Sequence, residues 1–388
     1  MTTVRRRYRS FVVGLVGITF ASPWSASAAQ ATRQPPARTA RLVLEIGEDM
    51  GGDEYTFSRL TRVAAARGGR IYALDMADKT VKVYDPSGKF LRAIGREGQG
   101  PGEFNAPAEL RLDDSTLTVT DFMQRRASTF TLDGTHLRTR SFPSLANGEF
   151  INTVLEVRGG ALLGISSVGA SSGPGPVPQN RSYVHVTVHR PPTPHVDTLA
   201  SIRSTVVTWY HARGFGVFES GFGDGGAWAL AGDSLLAVVD GYTGAVRWFA
   251  FDGRGVHLVR SGSLGQRGRP VTPQDMAGIE TRWRERYKKS DLAKAEVKFS
   301  GAPTHWSVAT RAVLGDDGAL WVGGPPSGAM PSGRTAVWSV FAPGATTPYP
   351  VALPADFTLT AVRAGRAYGY AQSDLDAPVV RVYELERR

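Results

Sequence analysis

Short runs in which hydrophobic and polar residues alternate recur along most of the chain. Residues 69–75, 80–85 and 88–95 each show this pattern, which is typical of β-strands with one buried face. The same three-part unit returns several times. Its aligned starts are Ile71, Leu117, Leu162, Leu235, Leu320 and Ala367. The spacing indicates a basal unit of about 46 residues with two enlarged steps, as in a repeat that carries loop insertions.

Each unit also has an earlier strand, such as residues 60–65 or 108–112, so a unit contains four strands joined by tight turns. Six such units predict an all-β, six-bladed β-propeller of four-stranded antiparallel blades. The last unit lacks an outer strand, but residues 41–47 match residues 89–95 position by position. We therefore predict that the N-terminal strand closes the sixth blade and that residues 41–388 form one domain. A repeat solenoid is the alternative, and the spare N-terminal strand favours the closed ring.

The segment 94–107 contains a glycine-rich turn, Pro101-Gly102, Phe104 and Pro107. It resembles the linker between blades of NHL-type six-bladed β-propellers, and residues 46–57 resemble a degenerate copy. The positions around Asp75, Lys82 and Tyr84 are similar to the family's second half-repeat. Blades three and five depart from it, because they lack the acidic residue after the second strand. The resemblance implies the fold but no single activity, since such propellers include binding and scaffolding modules as well as lyases and lactonases.

Three insertions, residues 166–181, 201–226 and 264–305, interrupt the repeats. All fall either between the second and third strands of a blade or between blades, and these two kinds of connection lie on the same face. We therefore expect them to rise over one mouth of the central channel, where loops on a rigid scaffold usually bind ligands.

One helix is predicted, in an insertion over residues 266–305 between blades four and five. Thr272 can cap it, Pro273 suits its first position, and hydrophobic residues follow at helical spacing. Trp283 and Tyr287 belong to this stripe. The helix is either a lid whose aromatic side chains face the mouth or a fixed element whose stripe packs on the blades.

The 201–226 insertion combines aromatic residues with a histidine and an arginine, separated by glycines. The residues of interest are Trp209, Tyr210, His211 and Arg213. As a flexible loop they could form a site for a sugar, an aromatic ligand or a peptide. Alternatively, they could plug the channel.

The N-terminus has the pattern of a secretory signal peptide: an arginine-rich start, the apolar run 11–21 and the small residues 26–29. We predict a signal peptide over residues 1–28, a flexible leader over residues 29–40, and a periplasmic or secreted location. A signal anchor and twin-arginine export are the alternatives. We expect no membrane span and no lipid anchor, because no later apolar window is long enough and the chain has no cysteine.

Composition excludes several kinds of partner and of catalytic or metal site. The chain has 45 Lys and Arg against 35 Asp and Glu, a net charge of +10 that signal-peptide cleavage would reduce to +6. These charges are interleaved, so we expect no nucleic-acid partner. The absence of cysteine excludes disulfides, thiolate metal sites and a cysteine nucleophile. The sequence also contains no HExxH, GxSxG or P-loop motif.

Carboxylates and histidines offer one route to metal chemistry. Asp75, Asp121 and Asp240 share one repeat position, and His211 and His305 lie in mouth connections. They would be the candidates if the protein were a metal-dependent lyase or a lactonase-like hydrolase using Ca²⁺ or Zn²⁺. Aspartate at this position of a repeat usually stabilises the hairpin turn, and three different blades cannot all contact one ion.

We therefore favour an exported, monomeric, non-catalytic binding or interaction propeller that requires no cofactor. Its ligand would be an unidentified protein, peptide or carbohydrate. The predicted mouth residues are Arg96, Trp209, Tyr210, His211, Arg213, Tyr242, Trp283 and Tyr287. The enzyme is the alternative, and a structural subunit of an envelope complex is a third hypothesis.

Overall fold

Seven antiparallel sheets account for nearly all the regular structure among the residues that the computed structural model of the protein describes. The structure describes residues 40–47, 50–142, 150–168, 182–190, 196–204, 206–211, 214–219, 225–289, 296–300, 304–324 and 335–386. All of them belong to one unit, Pro35–Arg388. The predicted signal peptide and all of the leader except Ala40 lie outside these ranges.

The strands, in chain order, are β1 (Ala40–Ile46), β2 (Leu60–Ala65), β3 (Ile71–Asp75), β4 (Thr80–Tyr84), β5 (Phe90–Ile94), β6 (Pro107–Leu112), β7 (Thr116–Asp121), β8 (Arg126–Thr131), β9 (His136–Ser141), β10 (Phe150–Glu156), β11 (Leu162–Val168), β12 (Ser182–His189), β13 (Val196–Ser204), β14 (Val206–His211), β15 (Gly214–Glu219), β16 (Gly226–Ala231), β17 (Leu235–Asp240), β18 (Ala245–Phe251), β19 (Val256–Ser263), β20 (Glu296–Ser300), β21 (Arg311–Leu314), β22 (Leu320–Gly323), β23 (Thr335–Phe341), β24 (Tyr349–Pro354), β25 (Thr358–Arg363), β26 (Arg366–Gln372) and β27 (Pro378–Leu385). A short 3₁₀ turn, Asp53–Tyr55, precedes β2, and one α-helix, α1 (Pro273–Arg286), precedes β20.

Six of the sheets have four strands and form a six-bladed β-propeller. Blades one, two, three, four and five are β2–β5, β6–β9, β10–β13, β16–β19 and β21–β24. Blade six is β25–β26–β27 with β1 as its outer strand, so the predicted closure by the N-terminal strand is confirmed. The six aligned starts of the sequence repeat all lie within second strands: β3, β7, β11, β17, β22 and β26.

Hydrophobic residues from neighbouring blades share the cores that hold the ring together. Five large clusters join blades one and two, three and four, four and five, five and six, and six and one. Between blades two and three the corresponding cluster is small, comprising buried Phe142, Val154 and Leu162 with Ala127 packed against them. This seam is therefore the least apolar of the six blade interfaces in the described residues.

The seventh sheet was not predicted. It consists of the hairpin β14–β15 from the insertion between blades three and four, with β20 from the next insertion added to β14. The sequence predicts a loop there, because a two-stranded hairpin is only marginally stable alone and its pattern gives a weak strand signal. The stabilising third strand begins 85 residues after the end of β14, where local patterns cannot reveal the pairing.

The helix begins as predicted. The Thr272 side chain accepts a hydrogen bond from the Asp275 backbone, the Asp275 side chain accepts one from the Thr272 backbone, and Pro273 occupies the first turn. Ile279 packs on Trp306, which follows the insertion, with Met276 and Val271 around them. The apolar stripe of α1 is thus packed against the base of its own insertion.

Candidate functional site

The six inner strands enclose a central cavity of about 380 Å³. Each blade contributes to its wall, because the first strand of every propeller blade faces the axis. The polar and aromatic residues of the wall are Arg62, Glu109, Arg111, Thr118, Thr120, Trp228, Thr310, Arg311, Thr358 and Thr360. We call this space the channel cavity, and we call the end at which the inner strands begin its mouth.

An ion pair crosses the channel wall between blades one and two. Arg62 Nε donates to Glu109 Oε2 at 2.8 Å, and a second guanidinium nitrogen donates to Glu109 Oε1. The adjacent Glu109 charge raises the pKa of Arg62 above its ordinary value, against the opposing effect of burial. This bidentate contact neutralises both side chains.

A hydroxyl makes the equivalent link between blades six and one. The Thr360 hydroxyl donates to the backbone carbonyl of Val63 at 2.6 Å and accepts from the Val63 N–H at 3.1 Å. These bonds connect the inner strands at the point where the ring closes.

Arg311 is different, because its guanidinium has no carboxylate partner among the described residues. Its Nη2 donates to the Gly324 carbonyl at 3.2 Å, its Nε is buried without a hydrogen-bond partner, and its Cζ lies 5.0 Å from the centre of the Trp338 ring. Burial lowers the pKa of Arg311 from its ordinary value, and the neighbouring Tyr370 partly opposes this. Arg311 is the first residue of β21, so it lies at the mouth end of the cavity.

A second cavity, of about 290 Å³, lies in the seam between blades two and three. Its arginines are all paired: Arg138 and Arg140 with Glu156, Arg158 with Asp233, and Arg111 with Asp113. The four arginines share three carboxylates, so the described residues of this seam keep an excess of one positive charge.

Of the predicted mouth residues, Arg96, Tyr242, Trp283 and Tyr287 are not among the described residues that line the channel cavity. Arg96 is exposed on the linker between blades one and two and pairs with Glu103 at 2.8 Å. The backbone N–H of Gly100 and then Arg96 lower the pKa of Glu103. Tyr242 is partly buried in the β17–β18 turn, where its N–H donates to Asp240.

Two of the predicted residues come together on the helix. Trp283 is buried, and its ring centre lies 5.1 Å from that of Tyr287 at the helix end. Trp209, Tyr210 and His211 lie in β14, which is the central strand of the seventh sheet. Arg213 lies outside the described residues.

The three repeat aspartates bind backbone N–H groups. Asp75 accepts four, from Ser58, Arg59, Ala77 and Asp78. From the described residues, Asp121 accepts three and Asp240 two, in equivalent turns.

His305 is exposed at the base of the helical insertion. Within the described ranges, no three histidine or carboxylate side chains are grouped so as to hold a metal ion.

Sequence reasoning missed the channel-wall residues. Arg62, Glu109, Trp228 and Arg311 lie on inner strands, where a polar or bulky side chain faces the axis. The signal was present in the sequence, because an arginine within a predicted inner strand of a propeller should face the channel rather than solvent.

A sequence profile of a family described as a six-bladed β-propeller matches residues 52–162. No curated protein matches the chain. Three solved structures are similar at low identity. A member of the DUF4221 family from Bacteroides vulgatus has a TM-score of 0.49 and 10% identity, covering 90% of this chain and 97% of its own.

The second structure is of a protein from Bacteroides fragilis described as exported, with a TM-score of 0.46 and 11% identity over 90% of this chain and 95% of its own. The third is a luciferin-regenerating enzyme, with a TM-score of 0.42 and 13% identity over 87% and 94%. None of the helices in the described ranges is long and apolar enough to cross a membrane.

Proposed function

We propose that the protein is an exported, NHL-type binding propeller that takes its ligand at the mouth of the channel. The observation that carries this proposal is the channel cavity, whose wall combines an aromatic side chain, Trp228, with basic side chains at Arg62 and Arg311. Its volume lies within the range of about 300–1,000 Å³ found for small-molecule sites. The predicted signal peptide, residues 1–28, supports export.

The mouth is also where two insertions enter the ring. The connection that carries α1 ends directly before β21, and its base is fastened by backbone bonds from Val271 N to Thr304 O and from Trp306 N to Arg269 O, both 2.9 Å. A fastened base fixes where the insertion leaves the ring. Arg96, Tyr242 and the residues of β14 and α1 would then form the outer part of a binding surface whose inner part is the channel wall.

Ligand binding to the exported protein tests this proposal. The protein is purified from the periplasm without chelators, and its N-terminus is sequenced to locate cleavage near Ala28. Thermal unfolding is then measured with panels of small acids, neutral sugars and short peptides, for wild type, Trp228→Leu and Phe249→Leu. Phe249 is the matched control, because it is an aromatic residue of the same blade that does not line the channel.

We expect at least one panel to raise the Tm of wild type and of Phe249→Leu but not of Trp228→Leu. Stabilisation that Trp228→Leu leaves unchanged would contradict the location of the site. No stabilisation by any panel would contradict a binding role.

A further inference from the structure

The charge of Arg311 is the least compensated in the channel wall. Among the described residues, three arginines and one carboxylate line the cavity. The carboxylate, Glu109, is occupied by Arg62, and Arg111 turns to Asp113 at 3.0 Å. Arg311 alone among these three donates to no carboxylate of the described residues.

The repeat itself explains this. In blades one, two and four, the first residue of the inner strand pairs across the sheet with an aspartate: Leu60 with Asp75, Pro107 with Asp121, and Gly226 with Asp240. In blade five the first residue is Arg311, and its partner is Gly323. Counted from the aligned starts, the residue at the position of Asp75 and Asp121 is Gly324 in blade five, so the repeat's carboxylate is absent beside Arg311.

Trp338 packs against the neighbouring Gly323, which pairs with both Trp338 and Arg311. A Cβ on Gly323 would lie 2.9 Å from the Trp338 ring, and the same ring lies 5.0 Å below the Arg311 guanidinium. An arginine that stacks on an aromatic ring is held in a fixed orientation with its N–H edge free to bind. The adjacent Thr310 hydroxyl is also buried without a hydrogen-bond partner and lines the same cavity.

We propose that Arg311 binds the carboxylate of the ligand in the channel cavity, with the Thr310 hydroxyl as a second donor. This inference rests on the proposed function. A buried cation without a counter-charge is unfavourable, and a carboxylate supplies the bidentate acceptor that a guanidinium binds most strongly. Trp228, on the wall of the same cavity, offers an apolar surface for the rest of the ligand.

Benzoate and benzamide are suitable probes, because both have a ring that can pack on Trp228 and only benzoate carries a charge. Their affinities for the exported protein are measured by ligand-observed NMR titration. We expect benzoate to bind about tenfold more tightly than benzamide, the size of effect that a charge-assisted bidentate contact gives.

Three substitutions locate the contact. Arg311→Met should remove the preference for benzoate, and Arg311→Lys should restore part of it, because an ammonium keeps the charge but not the fork of donors. Arg260→Met is the matched control. Arg260 also lies over a tryptophan, 3.9 Å from the ring centre of Trp248, and also has a buried Nε without a partner, but it lies on outer strand β19 and not in the channel wall.

A carboxylate can come from a free organic acid or from the C-terminus of a peptide, and a second pair of probes separates them. A tripeptide with a free C-terminus is compared with the same tripeptide amidated. Preference for either acid over its amide, lost in Arg311→Met, supports the proposal, and the tighter pair identifies the source.

Equal binding of acids and amides that Trp228→Leu weakens would overturn the carboxylate inference and leave the proposed binding site standing. A preference for acids that Arg311→Met retains and Arg260→Met removes would also overturn it. Binding of none of the four probes would overturn both the inference and the proposed function.

Discussion

The indole ring of Trp338 lies against Gly323, so that a Cβ on the glycine would be 2.9 Å from the ring carbon Cη2. Trp338 is completely buried between blades five and six. The Trp338 ring cannot move without disturbing the packing between blades five and six. Glycine at position 323 is therefore required by packing.

Gly323→Ala should destabilise the protein by about 1–3 kcal/mol, the usual cost of overpacking a core. Urea unfolding measures the change. Gly68→Ala is the control, because a Cβ at Gly68 meets no atom within 4 Å. Equal effects of the two substitutions would contradict a tight fit at Gly323.

Arg62 and Glu109 should couple energetically across the first blade interface. Their side chains are 38% and 27% exposed, so we expect a coupling of about 1–2 kcal/mol, between the values for surface and buried pairs. A double-mutant cycle of Arg62→Met and Glu109→Gln, followed by urea unfolding, measures it. Strictly additive effects would show that the contact contributes nothing to the stability of the ring.

Closure of the ring by β1 makes Ile46 a critical residue. Ile46 is fully buried in the cluster shared by blades six and one. Ile46→Ala should cost about 3 kcal/mol of unfolding free energy, whereas Leu42→Ala, on the exposed side of the same strand, should change it by less than about 0.5 kcal/mol. A similar small effect at both positions would mean that β1 is dispensable for closure.

The blade framework could be predicted because each blade repeats a local pattern. Alternation at residues 71–75 and 80–84, and the match of residues 41–47 to an outer strand, are readable without any tertiary information. The capping box at Thr272 is equally local. These features depend on residues that are close in sequence, where propensity and pattern apply.

The channel wall and the seventh sheet could not be predicted in the same way. The pairing of Arg62 with Glu109 joins residues 47 apart, and the addition of β20 to β14 joins two separate insertions. The surroundings of Arg311 depend on Gly324, which stands where other blades have an aspartate, on Gly323, and on a ring from a third strand. Sequence patterns show which charged residues are present, but not which arginine pairs with which carboxylate in the folded protein.

The repeat aspartates should contribute to stability in proportion to the backbone groups they bind. From the described part of the chain, Asp75 accepts four N–H groups and Asp240 two. Asp75→Asn should destabilise the protein by about 3 kcal/mol and Asp240→Asn by about 1 kcal/mol, as judged by urea unfolding.

A structural role and a metal-binding role for Asp75 predict different responses to added metal. Both of its carboxylate oxygens already accept N–H groups, so we expect Ca²⁺, Zn²⁺ and EDTA to leave the Tm unchanged. A Tm that rises with either metal, falls with EDTA and no longer responds in Asp75→Asn would contradict the structural role. It would also favour the metal-dependent enzyme.

Protonation of Asp275 at low pH should reduce the stability of α1. The bidentate contact with Arg269 and the Thr272 N–H hold the pKa of Asp275 well below its usual range, so its stabilising effect is complete above the unfolded pKa of about 4 and is lost as the pH falls towards the folded value. The measurement is hydrogen exchange of residues 273–286, corrected for intrinsic exchange rates. At pH 5–8 the wild type should be more protected than Asp275→Asn by a constant factor. Below about pH 4 that factor should become smaller. Glu285→Gln, which removes an exposed carboxylate from the last turn of the same helix, is the control for lost charge. A difference between wild type and Asp275→Asn that widens towards low pH would contradict this assignment.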